Sequence, residues 1–213
     1  MIMEQQRQQV VDYSRKMLDS GLTRGTGGNI SVFDRTTGYM AITPSGLDYM
    51  EMEADDVVIM DLQGKTVDGC RRPSSEHMMH SIFYRQRKDV NAVVHDHALY
   101  CSVMAALHKP LPAASYLVAI AGTDTVPCAP YRTPGTEQLA KAACKAVGKG
   151  WAAFLGNHGF IGLGPTLNYA FNVAEEIEMA SAIYLQACAV GRPKVIDPEQ
   201  MPALYDLFSQ YWR

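Results

Sequence analysis

Apolar and polar positions follow two periods along this chain, and each period predicts a different kind of element. Apolar residues near helical spacing predict helices over residues 4–20, 99–107, 135–147 and 167–190. A further helix is predicted to begin within residues 73–76, with a serine as N-cap, and to extend to about residue 87. Alternating or short apolar stretches predict strands over residues 30–33, 39–43, 57–61, 91–97, 126–128 and 152–155. Residues 198–213 form either a last helix or a tail. Short connections and no repeat or linker predict one mixed α/β domain over residues 1–213.

Composition and charge place the chain among ordinary globular proteins. It has 213 residues, of which 47% are hydrophobic and 19% charged, a net charge of -3 and a pI near 6.1. This charge argues against a general nucleic-acid or anionic-membrane surface. The N-terminus is too polar for a signal peptide, and the apolar runs fall short of the about 20 residues that span a membrane. Five cysteines without C-x-x-C spacing favour reduced thiols. We therefore expect a cytoplasmic protein.

The stretch NAVVHDHALYC, residues 91–101, carries the clearest candidate chemistry. Side chains alternate along a strand, so His95 and His97 would project from one face. His158 follows the apolar run 151–155 and offers a third imidazole. Three protein ligands with one open position are typical of catalytic zinc. Taken alone, however, the two histidines fit equally well as polar residues that end a strand.

Small residues provide two candidate anion sites and one candidate base. The glycine-rich turn 25–29 leads into a strand and can expose successive backbone N–H groups, which bind anions. Ser74 and Ser75 stand at a predicted helix start, where the helix dipole favours negative charge. Ordinary turn and capping roles explain each feature as well. Glu76 is favoured there by the dipole alone, but beside a metal its carboxylate would serve as a general base.

Six motifs in order, GTGGNIS, ITPSG, PSSE, AVVHDHALYC, VPCAPY and NHG, resemble those of the class II, zinc-dependent sugar-phosphate aldolases. The resemblance extends from about Gln8 to Tyr211 and is strongest to the branch that acts on L-fuculose 1-phosphate. It implies a single three-layer α/β/α domain whose central sheet is largely antiparallel. It also implies reversible cleavage of L-fuculose 1-phosphate, or a similar 1-phosphorylated ketose, into dihydroxyacetone phosphate and L-lactaldehyde.

The same resemblance implies roles for individual residues. His95, His97 and His158 match the ligands of one zinc ion per subunit, and Glu76 matches the catalytic acid/base. Tyr116 matches a tyrosine that reaches a neighbouring subunit's active site and handles the proton on the aldehyde-side oxygen. The family forms homotetramers with active sites between subunits, so we expect the same assembly here.

Further matches concern the substrate phosphate and the chain terminus. Tyr211 matches a tyrosine of a C-terminal tail. Pro134 stands where the family has an aromatic residue near the aldehyde pocket, so the identity of the aldehyde is not determined by the resemblance. The positions expected to hold the phosphate of a small sugar substrate are Gly28, Asn29, Ser45, Gly46, Ser74 and Ser75.

Three other functions share this fold. L-Ribulose-5-phosphate 4-epimerases resemble the aldolases but carry aspartate where this chain has Glu76. Decarboxylases of oxo-tetronate phosphates differ in the serine motif and after the last zinc histidine. The adducin head domain is a binding module that lacks the zinc histidines. Glu76, Tyr116 and all three histidines together favour the aldolase.

Overall fold

The computed structural model describes residues 1–211 and contains one large sheet with helices on both sides. The strands are β1 (Asn29–Asp34), β2 (Tyr39–Ile42), β3 (Val58–Asp61), β4 (Thr66–Asp68), β5 (Ala92–Asp96), β6 (Leu111–Pro112), β7 (Thr125–Val126), β8 (Cys128–Ala129), β9 (Ala152–Leu155) and β10 (Gly159–Gly164). The α-helices are α1 (Glu4–Asp19), α2 (His77–Gln86), α3 (Leu99–Leu107), α4 (Glu137–Val147), α5 (Leu167–Val190) and α6 (Met201–Tyr211). Short 3-10 helices cover Ala54–Asp56, Tyr116–Ala121 and Pro198–Gln200.

The sheet has eight strands in the order β4-β3-β2-β1-β5-β10-β9-β8. All neighbours are antiparallel except β8 and β9, and the short strands β6 and β7 pair separately. Strand β5 lies between β1 and β10, where Asn29 and Ile161 flank His95 in register. The histidine strand therefore occupies the middle of the sheet, with a partner on each side.

Alternation along β5 divides the core into two layers. Val94 points into a cluster with residues of α1, α3 and α5, whereas Val93 points into a second cluster with residues of α2 and α4. Because side chains of one parity share a face, His95 lies on the same side as Val93, under α2. This arrangement is the predicted three-layer α/β/α fold with a largely antiparallel sheet.

Several local predictions differ from the structure. No strand was predicted over residues 159–164, yet β10 is a central strand. The predicted strand 126–128 is divided at Pro127, whose missing N–H cannot continue a ladder. The serine N-cap of α2 was wrong: Glu76 occupies the N-cap position, and the Ser74 hydroxyl accepts a hydrogen bond from its N–H. The terminal segment contains helix α6, while the domain bounds 1–213 stay a prediction.

Within residues 1–211, no helix combines the length and apolar character needed to cross a membrane.

Candidate active site

His95 and His97 lie on one face at the end of β5, as the strand period predicts. Their ring centroids are 4.8 Å apart and their Nε2 atoms 3.1 Å apart. His95 is fully buried, and its Nδ1 lies 2.7 Å from the carbonyl oxygen of Phe160 in β10. A carbonyl only accepts, so Nδ1 donates and the Nε2 of neutral His95 is left with a lone pair that points toward His97.

His158 reaches the same point from the turn between β9 and β10. This turn places Asn157 at a positive φ of 51°, a conformation that asparagine tolerates. The ring of His158 lies 4.7 Å from that of His95 and 5.2 Å from that of His97, centroid to centroid. The ligand atoms of the three histidines all lie within 4.8 Å of one another. The predicted third imidazole therefore joins the pair.

Glu76 places a buried carboxylate against this histidine cluster. Its Oε2 lies 3.1 Å from His95 Nε2 and accepts a hydrogen bond of 3.0 Å from the Asn29 amide. Its Oε1 lies 3.6 Å from His158 Nε2 and is buried without a hydrogen-bond partner among the described residues. Burial favours the neutral acid, but His95, His158 and Asn29 outweigh it and hold the pKa of Glu76 far below its usual range.

The imidazoles have shifted pKa values because they are crowded together. Desolvation, reinforced by the neighbouring His95, lowers the pKa of His97 and of His158 to about 4 each. Burial alone would lower the pKa of His95 as well, but the adjacent Glu76 carboxylate raises it. At neutral pH, His97 and His158 therefore present uncharged nitrogens, which is the form that binds a metal.

The donor set fits a divalent cation. A second proton on His95, carried by Nε2, would satisfy its contact with Glu76, but it would leave the nitrogens of His97 and His158 unsatisfied. A cation between them would satisfy all three nitrogens and the unpartnered Oε1 of Glu76 together. Imidazole and carboxylate ligands around one centre are typical of zinc and related transition metals.

Two serine segments lie side by side next to Glu76. The backbone N–H of Ser45 donates to the Arg72 carbonyl at 2.9 Å, and that of Ser74 donates to the Thr43 carbonyl at 3.0 Å. Ser45 and Ser75 are exposed, whereas Ser74 is buried. The structure thus brings the ITPSG and PSSE motifs together at one edge of the histidine cluster.

The glycine-rich turn adjoins the same site. Gly28 has a φ of 73°, and its carbonyl accepts a 2.7 Å hydrogen bond from the buried hydroxyl of Tyr49. A methyl group on Gly28 would lie only 2.5 Å from the carbonyl oxygen of His95, so this close approach requires glycine. The turn is therefore packed directly against the strand that carries the histidines.

Comparison with known proteins decides the family. Residues 8–185 match the model of the Class II Aldolase and Adducin N-terminal domain family. The chain belongs to this family. A curated relative, the 5-deoxy-D-ribulose 1-phosphate aldolase of Bacillus thuringiensis serovar kurstaki, is 48% identical over 211 residues and 99% of each chain. The L-fuculose phosphate aldolase of Escherichia coli O6:H1 is 37% identical over 95% of this chain and 94% of its own.

Comparison with a solved structure supports the same family assignment. An L-fuculose 1-phosphate aldolase superposes with a TM-score of 0.95 at 42% identity, over 98% of each chain. The chain is therefore a class II aldolase, a metal-dependent class of lyase, and the enzyme prediction is confirmed.

The other residues singled out from the sequence are Tyr116, Pro134 and Tyr211. Tyr116 of the aldolase is 54% exposed and stacks on Phe208 of α6, with ring centroids 6.0 Å apart. Pro134 is exposed in a loop that adjoins the serine segment, because Gly135 packs against the carbonyl of Ser75. Tyr211 ends α6, but its side chain lies outside the described part of the structure.

Sequence reasoning missed two buried residues that support this site. Tyr49 holds the glycine-rich turn, and His80 bonds to Asn29. His80 stands four residues after Glu76, a spacing that places both near one face of a helix, and this was the available signal. Tyr49 had no comparable signal, since its partner is a backbone carbonyl of a distant turn.

Proposed function

We propose that this aldolase reversibly cleaves the C3–C4 bond of a ketose 1-phosphate, releasing dihydroxyacetone phosphate and a small aldehyde. One observation carries the proposal: the buried Glu76 carboxylate lies against His95 and His158 with one oxygen, Oε1, left unpartnered. A base next to a metal centre is what proton transfer beside a polarised carbonyl requires.

We assign the metal as zinc, held by His95, His97 and His158, with Glu76 able to join as a further ligand. A bound zinc ion would supply a Lewis acid that polarises the ketose carbonyl and offsets the negative charge that develops during cleavage. The Nδ1–H of His95 donates to the Phe160 carbonyl, and this hydrogen bond fixes the imidazole ring with Nε2 toward the centre.

The two oxygens of Glu76 have different roles: one is held by a hydrogen bond and the other transfers the proton. Oε2 is committed to the Asn29 amide, so Oε1 is the atom that carries the proton. In synthesis, Oε1 of the Glu76 carboxylate removes a proton from C3 of dihydroxyacetone phosphate, C3 bonds to the aldehyde carbon, and the aldehyde oxygen gains a proton to become the C4 hydroxyl. Cleavage is the reverse and starts from Glu76 protonated on Oε1: the C4 hydroxyl loses its proton, the C3–C4 bond breaks, and C3 takes the proton from Oε1. Between turnovers, Glu76 and the group at the C4 oxygen exchange protons with solvent, so the number of protons balances. We assign the C4 oxygen's proton to Tyr116 of a neighbouring subunit, in keeping with its exposure.

The substrate phosphate would be held beside this centre by the glycine-rich turn and the two serine segments. Exposed hydroxyls and backbone N–H groups in tight turns suit an anion. The proposed positions are Gly28, Asn29, Ser45, Gly46, Ser74 and Ser75. The side chain of Asn29 is already shared between Glu76 and His80, so its backbone would provide any contact with phosphate.

We propose 5-deoxyribulose 1-phosphate as the first candidate substrate and L-fuculose 1-phosphate as the second. The relative named for the first is 48% identical, and those named for the second are 37% and 42% identical. Both ketoses carry a 1-phosphate and a terminal methyl group, and they differ only in the aldehyde half. Pro134, in the loop next to Ser75, is a candidate determinant of that half.

The test measures dihydroxyacetone phosphate released from a panel of both ketose phosphates and L-ribulose 5-phosphate, together with the zinc content of each protein. We expect one zinc per chain and release from the two 1-phosphates. Glu76→Gln should retain zinc yet lose at least about 100-fold in kcat, the lower end of general acid–base contributions. Glu137→Gln, an exposed matched control, should behave as wild type. The proposal would be overturned if Glu76→Gln cleaved at the wild-type rate, or if neither 1-phosphate released dihydroxyacetone phosphate.

A homotetramer with Tyr116 at a subunit boundary is part of the same proposal. Light scattering should give a mass close to four times 23.5 kDa, and a fully active monomer would contradict the assignment of Tyr116. We also propose a cytoplasmic location, in keeping with the five free cysteines.

A further inference from the structure

A line of buried polar side chains runs from Glu76 away from the histidine cluster into the layer between the sheet and α2. The Asn29 amide nitrogen donates to Glu76 Oε2 at 3.0 Å, and the Asn29 oxygen lies 2.5 Å from His80 Nε2. On the other side of the ring, His80 Nδ1 lies 2.7 Å from the Ser31 hydroxyl, which lies 2.6 Å from the Tyr84 hydroxyl. His80 is fully buried.

The orientation of every group in this line follows from Glu76. The Glu76 carboxylate accepts and does not donate, so the Asn29 amide must turn its nitrogen toward Glu76 and its oxygen toward His80. An amide oxygen also only accepts, so His80 Nε2 must carry a hydrogen. In a neutral ring, Nδ1 then accepts from the Ser31 hydroxyl. From Ser31 through His80 to Asn29, each donor thus points toward Oε2, and hydrogen bonds aligned in this way strengthen one another.

His80 and Glu76 together prevent the Asn29 amide from rotating. If the amide flipped, its nitrogen would face the N–H of His80 and its oxygen would face the carboxylate, so both hydrogen bonds would be replaced by repulsive contacts. The Asn29 backbone is already fixed, because β1 pairs with β5 and Asn29 lies opposite His95. With its backbone fixed by the strand and its amide by His80, Asn29 holds Oε2 in one place.

We propose that His80 is a positioning residue for aldol cleavage: its Nε2–H fixes the Asn29 amide, which holds Glu76 Oε2 and leaves Oε1 as the oxygen that exchanges protons with the substrate. This inference rests on the proposed role of Glu76. It assigns to His80 an effect on the chemical step that is transmitted entirely through Asn29.

Two substitutions of His80 by amide residues test the hydrogen bonds of its two ring nitrogens separately. The amide nitrogen of His80→Gln can occupy the place of Nε2 and still donate to Asn29. His80→Asn is shorter, so it can reach Ser31 but not Asn29. We expect His80→Asn to lower kcat by about 10- to 100-fold, the usual loss when a residue supporting a catalytic ligand is removed. His80→Gln should restore most of that loss, and KM and zinc content should change little in either variant.

Two controls distinguish positioning from general damage to the core. Phe83→Leu alters an equally buried residue of α2 outside this line, so it should lower the unfolding temperature without lowering kcat. In an Asn29→Ala background, His80→Asn should have almost no further effect on kcat, because residues that act through one contact are not additive.

The outcomes separate this inference from the proposed function. Inactive Glu76→Gln with fully active His80→Asn would overturn the role of His80 and leave Glu76 as the base. Equal losses in His80→Asn and His80→Gln, or losses that add to those of Asn29→Ala, would also overturn it by showing a merely structural role. If wild-type protein released no dihydroxyacetone phosphate, the proposed function itself would fail first.

Discussion

Gly159 offers a sharp test of how the proposed metal centre is built, because it follows His158 directly and faces the histidine strand. A methyl group at this position would lie 2.8 Å from His97 Cδ2 and closer still to the backbone oxygen of Asp96. Carbon atoms normally rest at about 3.5–4.0 Å, so Gly159→Ala must push β10 away from the end of β5 by about 1 Å. The backbone of Gly159 has no positive φ, so the effect is steric alone.

The displacement has two consequences of predictable size. Overpacking of this kind costs about 1–3 kcal/mol, and the upper part of that range applies because a backbone atom cannot rotate away. For a chain of this length, each kcal/mol lowers Tm by about 2–4 °C, which gives a fall of about 5–10 °C. Separating His158 from His97 by about 1 Å should also reduce kcat about 100-fold.

The assay combines thermal unfolding with zinc competition against a coloured chelator and with the cleavage rate. Gly191→Ala is the matched control, since no atom lies within 4 Å of the added methyl and the backbone there is extended. Gly191→Ala should match wild type in all three measurements. If Gly159→Ala also kept the wild-type Tm and zinc affinity, the close packing of these two strands would not be what sets the ligand geometry.

Two further predictions concern stability. Arg7 is buried, pairs with Asp68 at 2.5 Å and donates to three backbone carbonyls. Arg7→Met should lower the free energy of unfolding in urea by at least about 2 kcal/mol, because the buried acceptors lose their donor. Wild-type stability of Arg7→Met would refute this. Burial lowers the pKa of His80 to about 3 in the folded protein, whereas a histidine in the unfolded chain has a pKa of about 6.5. The contribution of neutral His80 to the free energy of unfolding is therefore complete above pH 6.5 and is lost as the pH falls toward 3. Between pH 6.5 and 4.5, wild type should lose about 2 kcal/mol more than His80→Gln, and parallel curves would contradict that pKa.

Most elements could be predicted from local periodicity, and the exceptions have a physical cause. Strand β10 has the sequence GFIGLG, and glycine is depleted in strands because it has no side chain to pack. At Gly162 the requirement for glycine comes from α5, which packs closely on this strand: a methyl there would lie 3.0 Å from the carbonyl of Ala170. Such a constraint between a strand and a later helix leaves no periodic pattern in the strand itself.

In the candidate site, too, local sequence pattern predicted some residues and missed others. His95 and His97 were predicted as a pair because they are two residues apart in one strand, and Glu76 was singled out by its position at a helix start. His80 was missed because its importance comes from Asn29, which is 51 positions away in another element. Pattern reasoning finds groups that share an element, whereas the supporting contacts between elements depend on sheet register.

Sheet register also ties the candidate site to the middle of the sheet. Asn29 lies opposite His95 across β1 and β5, and Phe160, whose carbonyl orients His95, belongs to the strand on the other side. The proposed ligand His95, the residue that contacts the proposed base and the acceptor that fixes the His95 ring therefore come from three adjacent strands. A shift of one residue in β5 would turn His95 to the opposite face and break both relations. The hydrogen bonds that stabilise the middle of the sheet thus also set the geometry of the proposed active site.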